Sequence, residues 1–366
     1  MAGERPLVMV SDEALLDELL RLAAVARCEL ELAPDPVAAL RLWSNAPLVL
    51  LDEAAAAECV AANLPRRDGV FVVCSGEPPP DLWRCAVNLG VRHVLELPDA
   101  SERLVNRLAD TVERPSVIAG RVIAVLGGRG GAGASVLAAA VALAALHRGR
   151  GALLVDCDPL GGGIDLLLGI EGVEGLRWPG IRASGGRIAM EALRESLPGR
   201  SRAGTRLTVV SCGRDGPGPS AEALAAVIDA GRRSGETVVC DLPRMTTDTA
   251  LAALGETDMA VVVVPAEVRA AAAAQRVADL LRDHRVAARL VVRGPAPGGL
   301  FAEDIARVVG LPLLAVMRPE SGLAKLLERG GLHVKPRGPL MAAARTILDA
   351  VEGDDRPSTA VGAERT

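Results

Sequence analysis

The sequence contains no tyrosine and only two phenylalanines and three tryptophans among its 366 residues. Aromatic rings therefore cannot fill a protein interior here, and any core must be built from valine, leucine and alanine. Half of the residues are hydrophobic, which is enough for well-packed cores. The length predicts two domains or more.

Lysine is almost missing, because Lys325 and Lys335 are the only two in the chain and arginine supplies the remaining basic charge. A site that needs a lysine ammonium group must therefore use one of these two residues or do without. The formal net charge is −5, which argues against a protein that coats DNA. The sequence thus carries no strong nucleic-acid signal.

Paired cysteines and long apolar runs are missing as well. None of the seven cysteines belongs to a C-x-x-C pair, so they are predicted to be buried thiols of a reducing cytosol rather than metal ligands or disulfides. The N-terminus lacks the apolar region of a signal peptide, and no apolar run reaches the length of a membrane span. We expect a cytoplasmic protein that contacts membranes only through its partners.

Residues 1–113 alternate apolar strands with helices in five units, which predicts a doubly wound parallel sheet. The segment resembles a response-regulator receiver domain, in which a phosphate-accepting aspartate ends the third strand, where Asp52 lies. The lysine that the family carries after the fifth strand is Leu97 here, and the first strand ends in Ser11-Asp12 rather than in two acids. We expect a degenerate receiver-like domain used for docking, with Asp52 as a helix cap.

Residues 114–116 are predicted to form a short linker. The second domain is predicted to span residues 117–352. Residues 353–366 are polar and are predicted to form a disordered tail. The helix before the tail carries Arg345 and then acids, which is a poor pattern for a helix that lies on a membrane.

The second domain is organised around a glycine-rich loop. Val122–Leu126 predicts a buried strand, five glycines follow between positions 127 and 133, and Ser135 opens an alanine-rich helix. Such a loop lets backbone N–H groups approach an anion, and the helix N-terminus adds partial positive charge. This arrangement predicts a phosphate-binding loop.

Two motifs compete for this loop. Residues 128–135 fit the P-loop pattern G-x-x-x-x-G-K-[ST] except at the lysine, which is Ala134. The dinucleotide fingerprint G-x-G-x-x-G is satisfied by Gly128, Gly130 and Gly133. It expects an acid about 20 residues further on, where Asp156 lies. A glycine turn without any ligand is a third interpretation, and the loop alone does not decide.

Aspartates after two later strands favour the P-loop. Asp156-Cys157-Asp158 follows one predicted strand, and Asp241-Leu242-Pro243 ends another. An aspartate at such a strand end suits a magnesium ion or its water. Together the motifs resemble the deviant-Walker ATPases of the MinD/ParA family, which carry K-G-G-x-G-K-[ST]-[ST], D-x-D and D-x-P in this order.

This resemblance implies an α/β P-loop NTPase domain with a mostly parallel sheet and helices on both faces, a homodimer, and ATP with Mg²⁺ as cofactors. It implies phosphate contacts from Gly128, Arg129, Gly130, Gly131, Ala132, Gly133, Ala134, Ser135 and Val136. It also implies that Ser135, Asp158 and Asp241 hold magnesium and that Asp158 orients water. Arg293 stands where the family usually has an asparagine that reads adenine, so base specificity is not implied.

Both family lysines are replaced, by Arg129 and Ala134. The first lysine reaches the partner's nucleotide across the dimer, a contact that Arg129 is able to keep. An alanine cannot neutralise phosphate charge, and losing a charged hydrogen bond weakens binding by about 1.5–3 kcal/mol. Catalysis loses more, because charge builds up in the transition state. We therefore expect weak or absent hydrolysis with residual nucleotide binding.

The order of the two domains resembles the CpaE/TadZ proteins of Tad pilus loci and, more closely, the actinobacterial septum site-determining proteins. The loop GGRGGAGAS and the segment RWPGI carry this resemblance. It implies a positioning factor recruited to the division septum or the cell pole, with proteins of the division or pilus/secretion machinery as partners. Two alternatives are a partner-stimulated ATPase that segregates DNA or localises Tad-type pilus machinery, and a nicotinamide or flavin enzyme.

Overall fold

The computed structural model describes residues 5–76, 78–91, 94–113, 119–181, 187–214, 218–329 and 331–353. The chain divides into two compact units, Met1–Pro115 and Ser116–Thr366. The predicted linker lies outside the described residues, as does the predicted tail except for its first residue.

The first unit is an α/β sandwich whose sheet has five strands. Its elements are β1 (Leu7–Met9), α1 (Glu13–Val25), β2 (Glu31–Leu32), α2 (Pro36–Trp43), β3 (Val49–Leu51), α3 (Glu53–Ala61), β4 (Val70–Ser75), α4 (Pro80–Leu89), β5 (Val94–Leu97) and α5 (Ser101–Glu113). The strands are parallel and lie in the order β2-β1-β3-β4-β5. Alternate strand residues point to opposite faces, so each face carries its own apolar core.

Asp52 is the N-cap of α3. Its Oδ1 accepts a hydrogen bond from the N–H of Ala55 at 2.8 Å, and its Oδ2 accepts from the N–H groups of Ser11 and Asp12 at 2.5 and 3.1 Å. The carboxylate is buried. The interpretation of Asp52 as a helix cap is confirmed, because backbone donors occupy both of its oxygens.

The second unit is larger and has helices on both faces of its sheet. Its elements are β6 (Arg121–Gly127), α6 (Ala134–His147), β7 (Ala152–Asp156), α7 (Ile164–Leu168), a 3₁₀ turn (Trp178–Gly180), α8 (Met190–Ser196), β8 (Gly199–Arg202), β9 (Thr205–Val210), α9 (Ala221–Arg233), β10 (Thr237–Leu242), α10 (Asp248–Gly255), β11 (Met259–Pro265), α11 (Val268–Asp283), β12 (Ala288–Arg293), α12 (Ala302–Val309), β13 (Leu313–Met317), α13 (Leu323–Leu327) and α14 (Pro339–Gly353).

The sheet of the second unit has eight strands in the order β13-β12-β11-β6-β10-β7-β9-β8. All neighbouring pairs in the described sheet are parallel except β8 with β9. Helix α6 is buried at every position from Leu137 to Leu146, between the sheet and α14. Strand β6 is a central strand of this sheet. The glycine loop follows its carboxyl end, on the side of the sheet where the neighbouring parallel strands also end.

Strand β8 was not predicted. Its residues, Gly-Arg-Ser-Arg, carry no apolar alternation, and they pair with β9 at the border of the sheet. Along the described part of the chain, no helix combines the length and the apolar character needed to cross a membrane.

Candidate functional site

The glycine loop connects β6 to α6 and is held by packing on one side. The N–H of Gly128 donates to the carbonyl of Val263 at 2.8 Å. A Cβ atom at Gly128 would lie 2.7 Å from the Cβ of Ala274 on α11 and 2.8 Å from Cγ2 of Val264, so glycine is required there by close approach. Gly133 has φ +91° and is the N-cap of α6 without a side-chain cap hydrogen bond. The N-cap residue therefore offers no side-chain acceptor to the first N–H groups of α6.

The order of the strands brings the predicted aspartates to this loop. Strand β10 lies between β6 and β7, and Asp241 is in register with Val125 on one side and with Asp156 on the other. Since parallel strands end at one edge of a sheet, the loop, Asp241 and the Asp156–Asp158 segment meet there.

Asp241 is the most perturbed carboxyl group of the site. Burial raises its pKa, a hydrogen bond with Ser135 lowers it, and the carboxylates of Asp156 and Asp158 raise it, so that the pKa lies at about 7. Ser135, Asp156, Asp158 and Asp241 therefore form one cluster. A buried carboxylate with two acidic neighbours favours a cation or a proton beside it.

Asp156 is a structural member of this cluster. It accepts hydrogen bonds from the N–H groups of Asp158, Ile164 and Cys212 at 3.2, 3.2 and 3.1 Å, and from Ser211 Oγ at 3.2 Å. Burial raises its pKa against the effect of these bonds. Asp158 is half-buried, and its Oδ1 accepts from the N–H of Leu160 at 3.1 Å. Asp156 thus fixes the segment that presents Asp158.

The site fits magnesium only together with a phosphate ligand. Among the residues that the structure describes, no group of three or more His, Cys, Asp or Glu side chains could hold a metal ion. Magnesium usually keeps several waters and binds through one or two carboxylates plus substrate phosphates. The Ser135 hydroxyl and the Asp241 carboxylate are donors of the kind that such an ion uses.

The two lysine positions of the family pattern supply no free cation. Position 134 holds an alanine at the start of α6. Arg129 donates through Nη2 to both carboxylate oxygens of Glu267, at 2.9 and 3.1 Å. The arginine that was predicted to reach across a dimer is therefore paired within its own chain.

A cleft of about 340 Å³ adjoins the loop and contains Arg293. Gly133 and Val136 line it at the start of α6, and Glu320 lines it from the segment after β13. The Oε2 of Glu320 accepts from the N–H of Leu340 at 3.2 Å, whereas its Oε1 is buried and has no hydrogen-bond partner among the described residues. The cleft therefore offers a cation, a free acceptor and the helix N-terminus.

Sequence reasoning missed a buried ionic network beside the cluster. Asp165 is buried and accepts from Nε of Arg177 and from Nη1 of Arg214, both at 2.9 Å. Its Oδ1 also lies 3.1 Å from Ser211 Oγ, whose one proton is shared between Asp165 and Asp156. Burial raises the pKa of Asp165, but the two arginine hydrogen bonds outweigh it and the pKa is lowered. The only signal in the sequence was the arginine of the RWPGI segment.

The same segment is tied directly to the aspartate cluster. The indole Nε1 of Trp178 donates to the carbonyl of Asp156 at 2.6 Å.

Arg244, which sequence reasoning also missed, directly follows the Asp241-Leu242-Pro243 motif, and its Nη1 is 3.5 Å from the carbonyl oxygen of Gly128. Its position directly after that motif was the sequence signal that could have predicted an arginine near the loop.

Comparisons with known proteins show what each of the two units resembles. Residues 9–117 match the family described as "Rv3660c-like, CheY-like N-terminal domain". Two solved structures share the fold of the second part. A ParA family ATPase from Chlorobium tepidum TLS has a TM-score of 0.55 at 17% identity, over 64% of this chain and 98% of that one. The MinD cell division protein of Aquifex aeolicus has a TM-score of 0.52 at 21% identity, over 65% and 99%.

These matches confirm the predicted fold class, a receiver-like domain followed by a MinD/ParA-like domain with a mostly parallel sheet. The uncharacterized protein Rv3660c of Mycobacterium tuberculosis strain H37Rv is 47% identical over 343 residues, which cover 93% of this chain and 96% of that protein. Identity of this extent, over both units, shows common membership. This chain therefore belongs to the Rv3660c-like family.

Proposed function

We propose that this protein is a spatial positioning factor with a degenerate ATP site, which binds Mg²⁺ and ATP weakly and hydrolyses ATP slowly or not at all. The observation that carries the proposal is the loop itself: it keeps its glycine backbone and the Ser135–Asp241 pair, while the phosphate lysine is Ala134. We assign phosphate contacts to the loop residues 128–136, magnesium to Ser135, Asp158 and Asp241, and a ligand-facing place in the cleft to Arg293.

Nucleotide binding is supported by the geometry of the loop. The helix α6 begins at a glycine with positive φ and has no side-chain cap, so its N-terminal N–H groups and its dipole are available to an anion. The adjoining cleft of about 340 Å³ is of the size that accommodates a small ligand. Bound magnesium would supply charge neutralisation between the Ser135–Asp241 pair and the phosphates.

Weak turnover is supported by the charges. The transition state of phosphoryl transfer gathers negative charge that a loop lysine normally stabilises. Ala134 cannot do this, and Arg129 is paired with Glu267. Asp158 keeps a place from which a carboxylate can orient water, but the electrostatic part of the catalysis is missing.

The positioning role rests on the fold. Proteins of this fold include a ParA family ATPase and a cell division MinD protein. We propose that this chain likewise acts as a homodimer with partners from the division or pilus/secretion machinery, at the septum or the pole, and that its receiver-like domain docks one of them. All seven cysteines are free thiols, which supports a cytoplasmic location.

Titration of the full chain with a fluorescent ATP analogue and Mg²⁺ tests the degenerate site. Ala134→Lys should bind roughly tenfold tighter or more, because a charged hydrogen bond to phosphate is restored. Ala134→Met is the matched control, since it adds length without charge and should bind like the wild type. If the wild type already binds as tightly as Ala134→Lys and hydrolyses ATP with several turnovers per minute, the degenerate-site proposal is wrong.

A partner-stimulated ATPase that segregates DNA or localises pilus machinery is the second candidate. The retention of Ser135, Asp158 and Asp241 in one cluster favours it. Stimulation of hydrolysis by a cell extract fraction or by DNA, lost in Asp158→Ala, would support this candidate over the first.

A further inference from the structure

The loop lacks a cation at its lysine position, yet another cation lies against it. The Nη1 of Arg293 is 3.0 Å from the place where a Cβ of Gly133 would stand. Gly133 is the N-cap of α6, so the guanidinium lies beside the end of the helix where phosphate binds in such loops. Arg293 is separated from Gly133 by 160 residues, and strand order alone brings the two together.

The backbone of Arg293 is held in place. Arg293 ends β12 in register with Pro265 of β11 and with Met317 of β13. Its carbonyl accepts from the N–H of Ala266 at 2.9 Å, and the next residue, Gly294, donates to the carbonyl of Met317 at 2.9 Å. Because this strand end is already fixed by hydrogen bonds, a ligand that binds the Arg293 side chain does not have to order the backbone first.

The guanidinium of Arg293 has no anionic partner within the described part of the chain. It forms no ion pair and no side-chain hydrogen bond there, although it is half-buried and shares the cleft with Glu320. The arginine within the loop, Arg129, is paired with Glu267. A half-buried, unpaired cation beside a helix N-terminus favours an anionic ligand.

We propose that Arg293 replaces the missing loop lysine and binds the phosphate groups of a nucleoside di- or triphosphate. The inference rests on the proposed nucleotide site and gives Arg293, which stands where the family usually has an adenine-reading asparagine, a role in phosphate recognition. Arginine suits this task because its planar fork donates two parallel hydrogen bonds to phosphate oxygens. Phosphate binding is then retained without the lysine, and the positive charge comes from a guanidinium beside the loop rather than from a residue within it.

The test measures equilibrium binding of fluorescent ATP, ADP and adenosine analogues to the full chain with Mg²⁺. Arg293→Ala should weaken ATP and ADP binding by roughly 10- to 100-fold and leave adenosine binding unchanged. Arg293→Lys should recover part of the loss, and Ala134→Lys combined with Arg293→Ala should recover more. Arg307→Ala removes an exposed arginine of α12 and should bind like the wild type.

The outcomes separate the inference from the proposal beneath it. If the wild type binds none of the three analogues, the nucleotide site fails and the inference fails with it. If the wild type binds ATP and Arg293→Ala binds it equally well, or if only Arg244→Ala weakens binding, the inference alone is overturned. Equal losses for ATP and adenosine would show base or ribose recognition and would also overturn it. Arg293→Gln serves if Arg293→Ala lowers the thermal unfolding midpoint.

Discussion

Asp241 is a buried carboxyl group whose pKa makes the stability of the protein depend on pH. Burial raises its pKa from an ordinary 3.8 to about 7, so the folded protein holds a proton that the unfolded chain releases. The contribution of this proton to the free energy of unfolding is fully present below pH 4 and is lost as the pH rises through 7. Asp241→Asn should therefore gain stability over the wild type across this window, by at most about 4 kcal/mol above pH 7.

Urea unfolding from pH 4 to 8 in a chelating buffer measures this difference. Asp283→Asn is the control, because Asp283 is exposed on α11 and should follow the wild type at every pH. Parallel profiles for the wild type and Asp241→Asn would contradict the assignment of a proton to Asp241 in the folded state.

At the scale of single residues, the sequence predicted the loop glycines, Ser135 and the three aspartates as candidates, since each belongs to a short motif. It could not show that Arg129 is bound by Glu267, which lies 138 residues further along the chain. It could not show that Asp165 is buried between two arginines either, because nothing in its neighbours distinguishes it from an exposed helix residue.

The loop and α11 pack closely against each other at Gly128. A methyl group at Gly128 would meet Ala274 and Val264 at 2.7 and 2.8 Å, whereas one at Gly130 would meet nothing within 4 Å. Gly128→Ala should lower the free energy of unfolding by about 1–3 kcal/mol, as overpacking does, and Gly130→Ala should leave it nearly unchanged. Denaturant midpoints compare the two, and equal midpoints would mean that α11 moves freely to make room.

Strands and helices were predictable where apolar residues recur with a clear period, as in β6, β11 and α9. Strand β8 was not, because its polar residues are held only by pairing with β9 at the sheet border. Helix α6 is apolar on all sides, so its sequence predicted a buried helix, while its place between the sheet and α14 came from the fold.

For the whole molecule, the missing lysine should affect assembly. In the proposed function, ATP favours a homodimer only weakly, because the loop binds phosphate weakly and Arg129 is paired with Glu267. Sedimentation velocity should show little change for the wild type with Mg²⁺ and ATP, and a shift towards dimer for Ala134→Lys, with Ala134→Met as control. A full shift of the wild type, followed by hydrolysis, would favour the switching ATPase.

The sequence by itself determined the two-domain α/β organisation, the glycine-rich loop between a strand and a helix, the loss of both lysines and the aspartates at the strand ends. These features are local, since a motif of eight residues or an apolar strand is visible in consecutive positions. Only the tertiary structure decided which arginines from outside the loop lie against it. Arg244 and Arg293 come from two other strand ends, and their distances to the loop depend on the order β12-β11-β6-β10, which no short stretch of sequence encodes.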